Sequence, residues 1–167
     1  LLHQSMMKKI QLMSMVLSLW ISNANAQQQI PCFNSKSAEV WADSIFNTMD
    51  YRDRIGQLFM IDAFSNKDSF HVAFINQLID SFHIGGLIFF QGGPLRQAKL
   101  TNAYQQRSRY PLMIGIDGEW GLNMRLDSTI RFPRQMTLAA GANEGQVLEM
   151  GREIGRQCQR MGIHINF

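Results

Sequence analysis

Asp117 and Arg125 are the residues of this chain whose types and spacing best suit chemistry. Asp117 follows the apolar run Leu112–Ile116 and opens the segment Asp117-Gly118-Glu119-Trp120-Gly121, with Arg125 eight residues after it. An ionised carboxylate offers only acceptors, so Asp117 can take hydrogen bonds from two neighbouring hydroxyls of a sugar. A guanidinium donates in a fixed fork to a hydroxyl or a carboxylate, and Trp120 offers an apolar face for a pyranose ring. An Asp–Arg ion pair that merely pins a long loop would use the same residues, and the pattern alone leaves both readings open. A sharper arrangement would make Asp117 and Glu119 the acid/base pair of a glycosidase, since retaining enzymes hold two carboxyl groups roughly 5–5.5 Å apart. Two residues apart in sequence could approach that spacing. They would project from one side of the substrate, however, instead of flanking the scissile bond.

Other combinations carry less. Gly85-Gly86 and Gly92-Gly93 complete neither a G-x-G-x-x-G nor a phosphate loop with its lysine, so they read as turns. His71, His83 and His164 are scattered without metal-ligand spacing, so neither a metal nor a cofactor is expected. No serine sits in a nucleophile elbow.

These residues must be positioned by a framework, and the pattern supplies one. A helix is expected from Ser37, with Val40, Trp41, Ile45, Phe46 and Met49 on one stripe, and Tyr51 to Ile55 reads as a further short turn. From there the chain alternates strand and helix. Gln57 to Ala63 holds the apolar run Leu58-Phe59-Met60-Ile61, which suits a strand buried on both faces. Phe70, Phe74, Leu78 and Phe82, with Ile75 and Ile79 beside them, are spaced for a helix face that Gly85-Gly86 stops. Leu87 to Phe90 is a second strand, and Gly92-Gly93-Pro94 turns the chain into a helix through about Ser108. Pro111 opens the third strand, Leu112 to Ile116. A long loop from Asp117 to Arg134 follows, then a short turn from Gln135 to Ala140. Asn143 and Gln146 form a capping box for a helix whose stripe is Val147, Met150, Gly151, Ile154, Cys158 and Met161. Gly162 ends it, and a fourth strand runs from Ile163 to Phe167.

Alternating βα units imply a parallel sheet with helical cover, and parallel sheets place ligands at the C-terminal ends of their strands. Three such ends are visible: Asp62 with Ser65-Asn66-Lys67-Asp68, then Gln91-Gly92-Gly93, then the Asp117 segment. An open doubly wound sheet and a (β/α)8 barrel both fit. A barrel takes about 250 residues and only about 110 follow Gln57, so a truncated chain is expected.

Composition sets the setting. The chain has 167 residues, is 46% hydrophobic and 17% charged, and carries a formal net charge of +3. Those values exclude a disordered chain. Residues 1–26 read as a secretory signal, with Lys8-Lys9 as the positive region, a mostly apolar stretch from Ile10 to Ile21, and Ala24-Asn25-Ala26 as the cleavage site. The apolar stretch is too short to span a bilayer, so no stable membrane span is expected. Without the two leader lysines the remainder is nearly neutral, which argues against a nucleic-acid partner. Residues 27–36 read as a linker, leaving 37–167 as the folded portion. Cys32 and Cys158 allow at most one bridge.

Several motifs in their order and spacing resemble glycoside hydrolase family three. They are Ile84-Gly-Gly-Leu-Ile-Phe-Phe-Gln-Gly-Gly-Pro94, Ile116-Asp-Gly-Glu-Trp-Gly121, Met124-Arg-Leu126, Phe132-Pro133 and Gly162-Ile-His-Ile-Asn-Phe167. The likeness is greatest to the bacterial β-N-acetylglucosaminidase branch and covers about Trp41 to Phe167. It implies an α/β fold, the N-terminal half of a TIM-like (β/α)8 barrel. It implies hydrolysis of terminal non-reducing β-linked sugars by a retaining mechanism, without a cofactor, on an oligosaccharide or muropeptide substrate in the periplasm or outside the cell. Asp117 matches the family's aspartate that binds hydroxyls of the non-reducing sugar, Arg125 a substrate-binding arginine, and Phe132-Pro133 a structural turn. The family's nucleophile is an aspartate after a later strand, and this branch's acid/base is a histidine on another later loop. No catalytic residue is therefore expected before Phe167, and this portion alone is expected to be inactive. Asn123 stands where members of the branch often carry glycine. A noncatalytic sugar-binding protein of the same fold, a β-glucosidase, and an open α/β ligand-binding or transport protein are the competing readings.

Overall fold

Ser35 starts the first element of the computed structural model, which describes residues 35–167. The Ala38 N–H donates to Ser35 Oγ at 3.2 Å, so helix α1 (Lys36–Phe46) begins one residue before the predicted Ser37. It closes before Met49 of the predicted stripe. The chain divides into two units between Phe46 and Asn47, and all that follows concerns the second. The predicted signal segment 1–26, Cys32 and all but the end of the 27–36 linker lie outside the described residues.

In the second unit Asp50 caps α2 (Tyr51–Gly56) through a capping box. The Asp53 N–H donates to Asp50 Oδ1 at 2.8 Å, and the Asp50 N–H donates back to Asp53 Oδ2 at 3.4 Å. The Leu58 and Phe59 amides still bond backward, to the Ile55 and Gly56 carbonyls. Strand β1 (Met60–Ala63) therefore begins three residues later than predicted, and Leu58 and Phe59 stay exposed. After it come α3 (Ser69–Phe82), β2 (Gly86–Phe89), α4 (Pro94–Arg107) with proline at its first turn, and β3 (Met113–Ile116). A 3-10 turn (Leu122–Met124), α5 (Gln135–Gly141), α6 (Glu144–Met161) and β4 (Ile165–Asn166) complete the described chain. The Asn143–Gln146 capping box forms as predicted, and Gly162 closes α6 in the left-handed region at φ 66°.

Helix α3 buries part of the predicted face, with Leu78 packed against the core beside its isoleucines. Ile75 and Ile79 are its buried residues, while Phe70, Phe74 and Phe82 are exposed. Its stop also differs. His83 takes the left-handed capping position at φ 47°, and the glycines after it serve a close approach instead. A Cβ on Gly85 would lie 2.1 Å from the Gln57 carbonyl oxygen, where no side chain fits.

The four strands are parallel in the order β1-β2-β3-β4, with Met60 beside Gly86, Gly86 beside Met113, and Gly115 beside Ile165. Strand side chains alternate between faces. Ala63, Leu87, Phe89, Ile114 and Ile116 point to the face that Ile75 and Ile79 of α3 and Tyr104 of α4 cover, with Leu100, Ile154, Cys158 and Met161 packed against them. Each fully buried Leu, Ile or Phe contributes about 1.5–3 kcal/mol, so this face carries most of the stability. The alternate residues Asp62 and Met113 are exposed, as is Ile165 of β4. Among the described residues the sheet is thus covered on one face, not on both as its apolar runs predicted. In α6 only the C-terminal half of the predicted stripe packs, and Val147 remains exposed. Cys158 is half-buried there, and burial pushes its thiol pKa up.

One polar cluster closes the N-terminal end of the sheet. Asp53 of α2 is 4% exposed. It pairs with His83 Nδ1 at 2.5 Å, accepts the Tyr110 hydroxyl at 2.7 Å, and lies 3.6 Å from Arg109. The Gln57 amide donates to the His83 carbonyl at 2.6 Å. The carboxylate joins α2 to the chain entering β2 and to the chain entering β3.

Candidate functional site

Asp117 leaves the sheet at the opposite, C-terminal end, directly after the buried Ile116. The next residue is fixed by Asn166, which the sequence shows within the Gly162–Phe167 motif but without an evident role. The Gly118 N–H donates to Asn166 Oδ1 at 2.9 Å, and Asn166 Nδ2 donates to the Gly118 carbonyl at 3.1 Å. The available signal was a lone amide in the otherwise apolar end of β4. Gly121 then turns the chain at φ 99°, where a Cβ would meet the Phe132 ring at 2.7 Å, so glycine is required. The 3-10 turn buries Leu122 and brings Arg125 back over the start of its own loop. Arg125 Nε donates to the Asp117 carbonyl at 2.8 Å, and its Nη2 donates to the Asp117 carboxylate. The Asp117 side chain is 28% exposed and that of Arg125 17%, so the pair is sheltered yet reachable.

The rim around the pair is latched across three strand ends. Gly92 and Leu126 form a parallel bridge: the Gly92 N–H donates to the Arg125 carbonyl at 3.1 Å, and the Asp127 N–H donates to the Gly92 carbonyl at 2.8 Å. Ser65 Oγ accepts the Gly93 N–H at 3.0 Å, and the Ser65 N–H donates to the Gln91 carbonyl at 3.1 Å. Arg96 closes the set, with Nε on the Ser65 carbonyl at 3.2 Å and Nη2 on Asp127 at 2.6 Å. That guanidinium holds the Asp127 carboxyl below its ordinary pKa. Behind the pair, the Arg125 guanidinium lies 4.8 Å from the Phe90 ring centroid, and Phe90 stacks on Phe64 at 5.8 Å.

The predicted residues fall as follows. Asp117 and Arg125 come together. Glu119 is exposed, and its backbone carbonyl takes the Gln135 amide at 2.6 Å. Trp120 packs against the Arg134 guanidinium at 5.0 Å and lines a cleft of about 440 Å³ with Arg131, Phe132 and Pro133. Asn123, where the branch often has glycine, keeps the turn and donates to the Thr129 carbonyl at 3.3 Å. Each histidine of the described portion serves a hydrogen bond within the fold: His71 accepts the Phe64 N–H, His83 pairs with Asp53, and His164 accepts the Ile114 N–H. Among the described residues no group of three or more His, Cys, Asp or Glu could hold a metal ion, and no helix is long and apolar enough to cross a membrane.

A parallel α/β sheet with a carboxylate–guanidinium pair at its C-terminal mouth defines the class, and comparison with known proteins gives it a family. Residues 50–167 match the glycosyl hydrolase family 3 N terminal domain, and the chain belongs to that family. Among curated relatives it is similar to the beta-hexosaminidase LpqI of Mycobacterium tuberculosis, at 27% identity over 120 residues, 70% of this chain and 29% of that protein. It is also similar to the beta-N-acetylglucosaminidase/beta-glucosidase of Cellulomonas fimi, at 22% identity over 127 residues, 76% of this chain and 22% of that one. The chain thus spans less than a third of the length of these relatives. Among solved structures, beta-glucoside phosphorylase BglX bound to 2FGlc shares the fold, with a TM-score of 0.63 at 18% identity over 80% of this chain and 24% of that chain.

Proposed function

We propose that residues 37–167 form the N-terminal, sugar-gripping portion of a (β/α)8 barrel in a glycoside hydrolase. The enzyme removes terminal non-reducing β-linked sugars, N-acetyl-β-D-glucosaminides first among them, with retention of configuration. The observation that carries this reading is the sheltered Asp117–Arg125 pair on the rim of the sheet. A carboxylate whose position is already set can accept two sugar hydroxyls without further ordering, and the arginine fork beside it can donate to a third oxygen. The nucleophile and the acid/base that cleave the bond belong to parts of the barrel outside these residues, so the 167 residues alone do not hydrolyse. Residues 1–26 direct export, 27–36 link, and the enzyme works in the periplasm or outside the cell on oligosaccharide or muropeptide ends.

The name of the Cellulomonas relative couples two activities, so sugar preference is the question to test. The full-length protein is expected to release nitrophenol from the N-acetyl-β-glucosaminide with kcat/KM about tenfold or more above that for the β-glucoside, the effect of one net hydrogen bond of about 1.4 kcal/mol. Proton NMR of the first product is expected to show the β-anomer. Equal or reversed preference replaces the hexosaminidase reading with a glucosidase one, and release from neither substrate overturns the hydrolase reading.

A further inference from the structure

His71 sits in the first turn of α3, its own N–H on Asp68 Oδ1 at 3.2 Å, yet its ring serves the chain leaving β1. The Phe64 N–H donates to His71 Nε2 at 3.2 Å. That bond needs the lone pair on Nε2, so the ring is neutral and carries its proton on Nδ1. The imidazole also meets the Phe64 ring edge-on, with centroids 5.6 Å apart and planes at 74°. Phe64 stacks on Phe90 at 5.8 Å, the Arg125 guanidinium lies 4.8 Å from the Phe90 centroid, and Arg125 holds Asp117. Contacts therefore run without a break from the imidazole to the sugar-binding pair.

We infer that His71 is a positioning residue for the Asp117–Arg125 pair: its neutral imidazole fixes Phe64, and through it the Phe90 ring beneath Arg125, and protonation releases that hold. A protonated ring would turn a second donor toward the Phe64 N–H and place a cation near Lys67, whose ammonium lies 3.6 Å from the Phe64 ring centroid. Burial first, and the Lys67 charge second, hold the His71 pKa below the ordinary histidine value, while Asp62 of β1 and Asp68 of the α3 cap pull it up. The ring is thus neutral at pH 7 and charges only below about pH 6.5.

This inference rests on the reading of Asp117 and Arg125 as sugar contacts, and its test separates the two. Binding of N-acetylglucosamine to the full-length protein is measured by calorimetry between pH 5 and 8. Wild type is expected to hold its affinity down to about pH 6.5 and lose about 3–10-fold toward pH 5. His71→Gln keeps an oxygen acceptor that does not titrate, so it should bind within about twofold of wild type at pH 7 and lose less affinity than wild type toward pH 5. His71→Leu has no acceptor and should bind several-fold more weakly at pH 7, with kcat/KM lowered through both kcat and KM, as for the pair it positions, and with both restored in His71→Gln. A flat wild-type profile, a His71→Gln protein that loses as much affinity toward pH 5 as wild type, or a His71→Leu protein with wild-type affinity overturns the inference. Asp117→Ala is the control. Undiminished binding there sinks the underlying site reading, whereas weakened binding alongside a failed His71 series sinks this inference alone.

Discussion

Replacing Asp117 by alanine in the full-length protein is expected to lower kcat/KM toward a chromogenic N-acetylglucosaminide by about 10²–10⁴-fold. The figure follows from the two sugar hydroxyls that the carboxylate would accept. A hydrogen bond to a charged group contributes about 1.5–3 kcal/mol, and each 1.36 kcal/mol is tenfold in rate. The loss should fall on kcat as well as KM, because contacts that orient a ring as it distorts strengthen on the way to the transition state. Arg125→Lys tests the other half of the pair. It keeps the charge but loses the fork that reaches both the Asp117 carbonyl and its carboxylate. About a tenfold loss is expected. Near wild-type turnover by Asp117→Ala would return the pair to the role of a loop pin.

The largest loss of stability is expected from Asp53→Ala, far from the sugar. The substitution leaves the Tyr110 hydroxyl and the His83 ring without their acceptor in a place that water reaches poorly. It also unties α2 from the chain entering β2 and β3. A drop in Tm on the order of 10 °C, read by calorimetry or circular dichroism, is expected. The same carboxylate shapes the acid limb. Hydrogen bonds from Tyr110 first, then from His83, hold its pKa below the ordinary value of 3.8, against the pull of burial. Between its native pKa and that ordinary value the unfolded chain binds more protons than the native one. The contribution is therefore complete above about pH 4 and is lost as pH falls through the native pKa. Asp53→Asn should flatten that limb, and an acid limb identical to wild type would show that the cluster does not carry it.

What the sequence made legible, and what it hid, follows from the range of the forces involved. Periodicity and capping are local, so the strand–helix alternation, Pro94 at the start of α4 and the Asn143–Gln146 box were all readable. The pair at Asp117 and Arg125 was readable because both residues lie on one loop. Asp53 was not. Its capping-box partner Asp50 stands three residues away, but Tyr110 and His83 meet it only after the sheet has assembled. The bond of Asn166 was hidden for the same reason, since its partner Gly118 lies 48 residues away, in the loop that follows the neighbouring strand β3. On α3 the sequence placed Ile75, Leu78 and Ile79 correctly and misplaced Phe70, Phe74 and Phe82, because aromatic residues were taken to seek the core. The shorter, β-branched Ile75 and Ile79 fit against the sheet instead, and Phe70 and Phe74 stay in solvent. The start of β1 was misread because Leu58 and Phe59 are apolar, yet their amides were already committed to the turn that ends α2.

The bridge at Gly92 governs how a ligand is met. Because Ser65, Gly92 and the Arg125–Asp127 stretch share backbone and side-chain hydrogen bonds, the tips that follow β1, β2 and β3 cannot swing independently. A saccharide bound as proposed would meet a finished jaw, and its capture on this side of the molecule is expected to be one diffusional event, without a slow closing phase behind it.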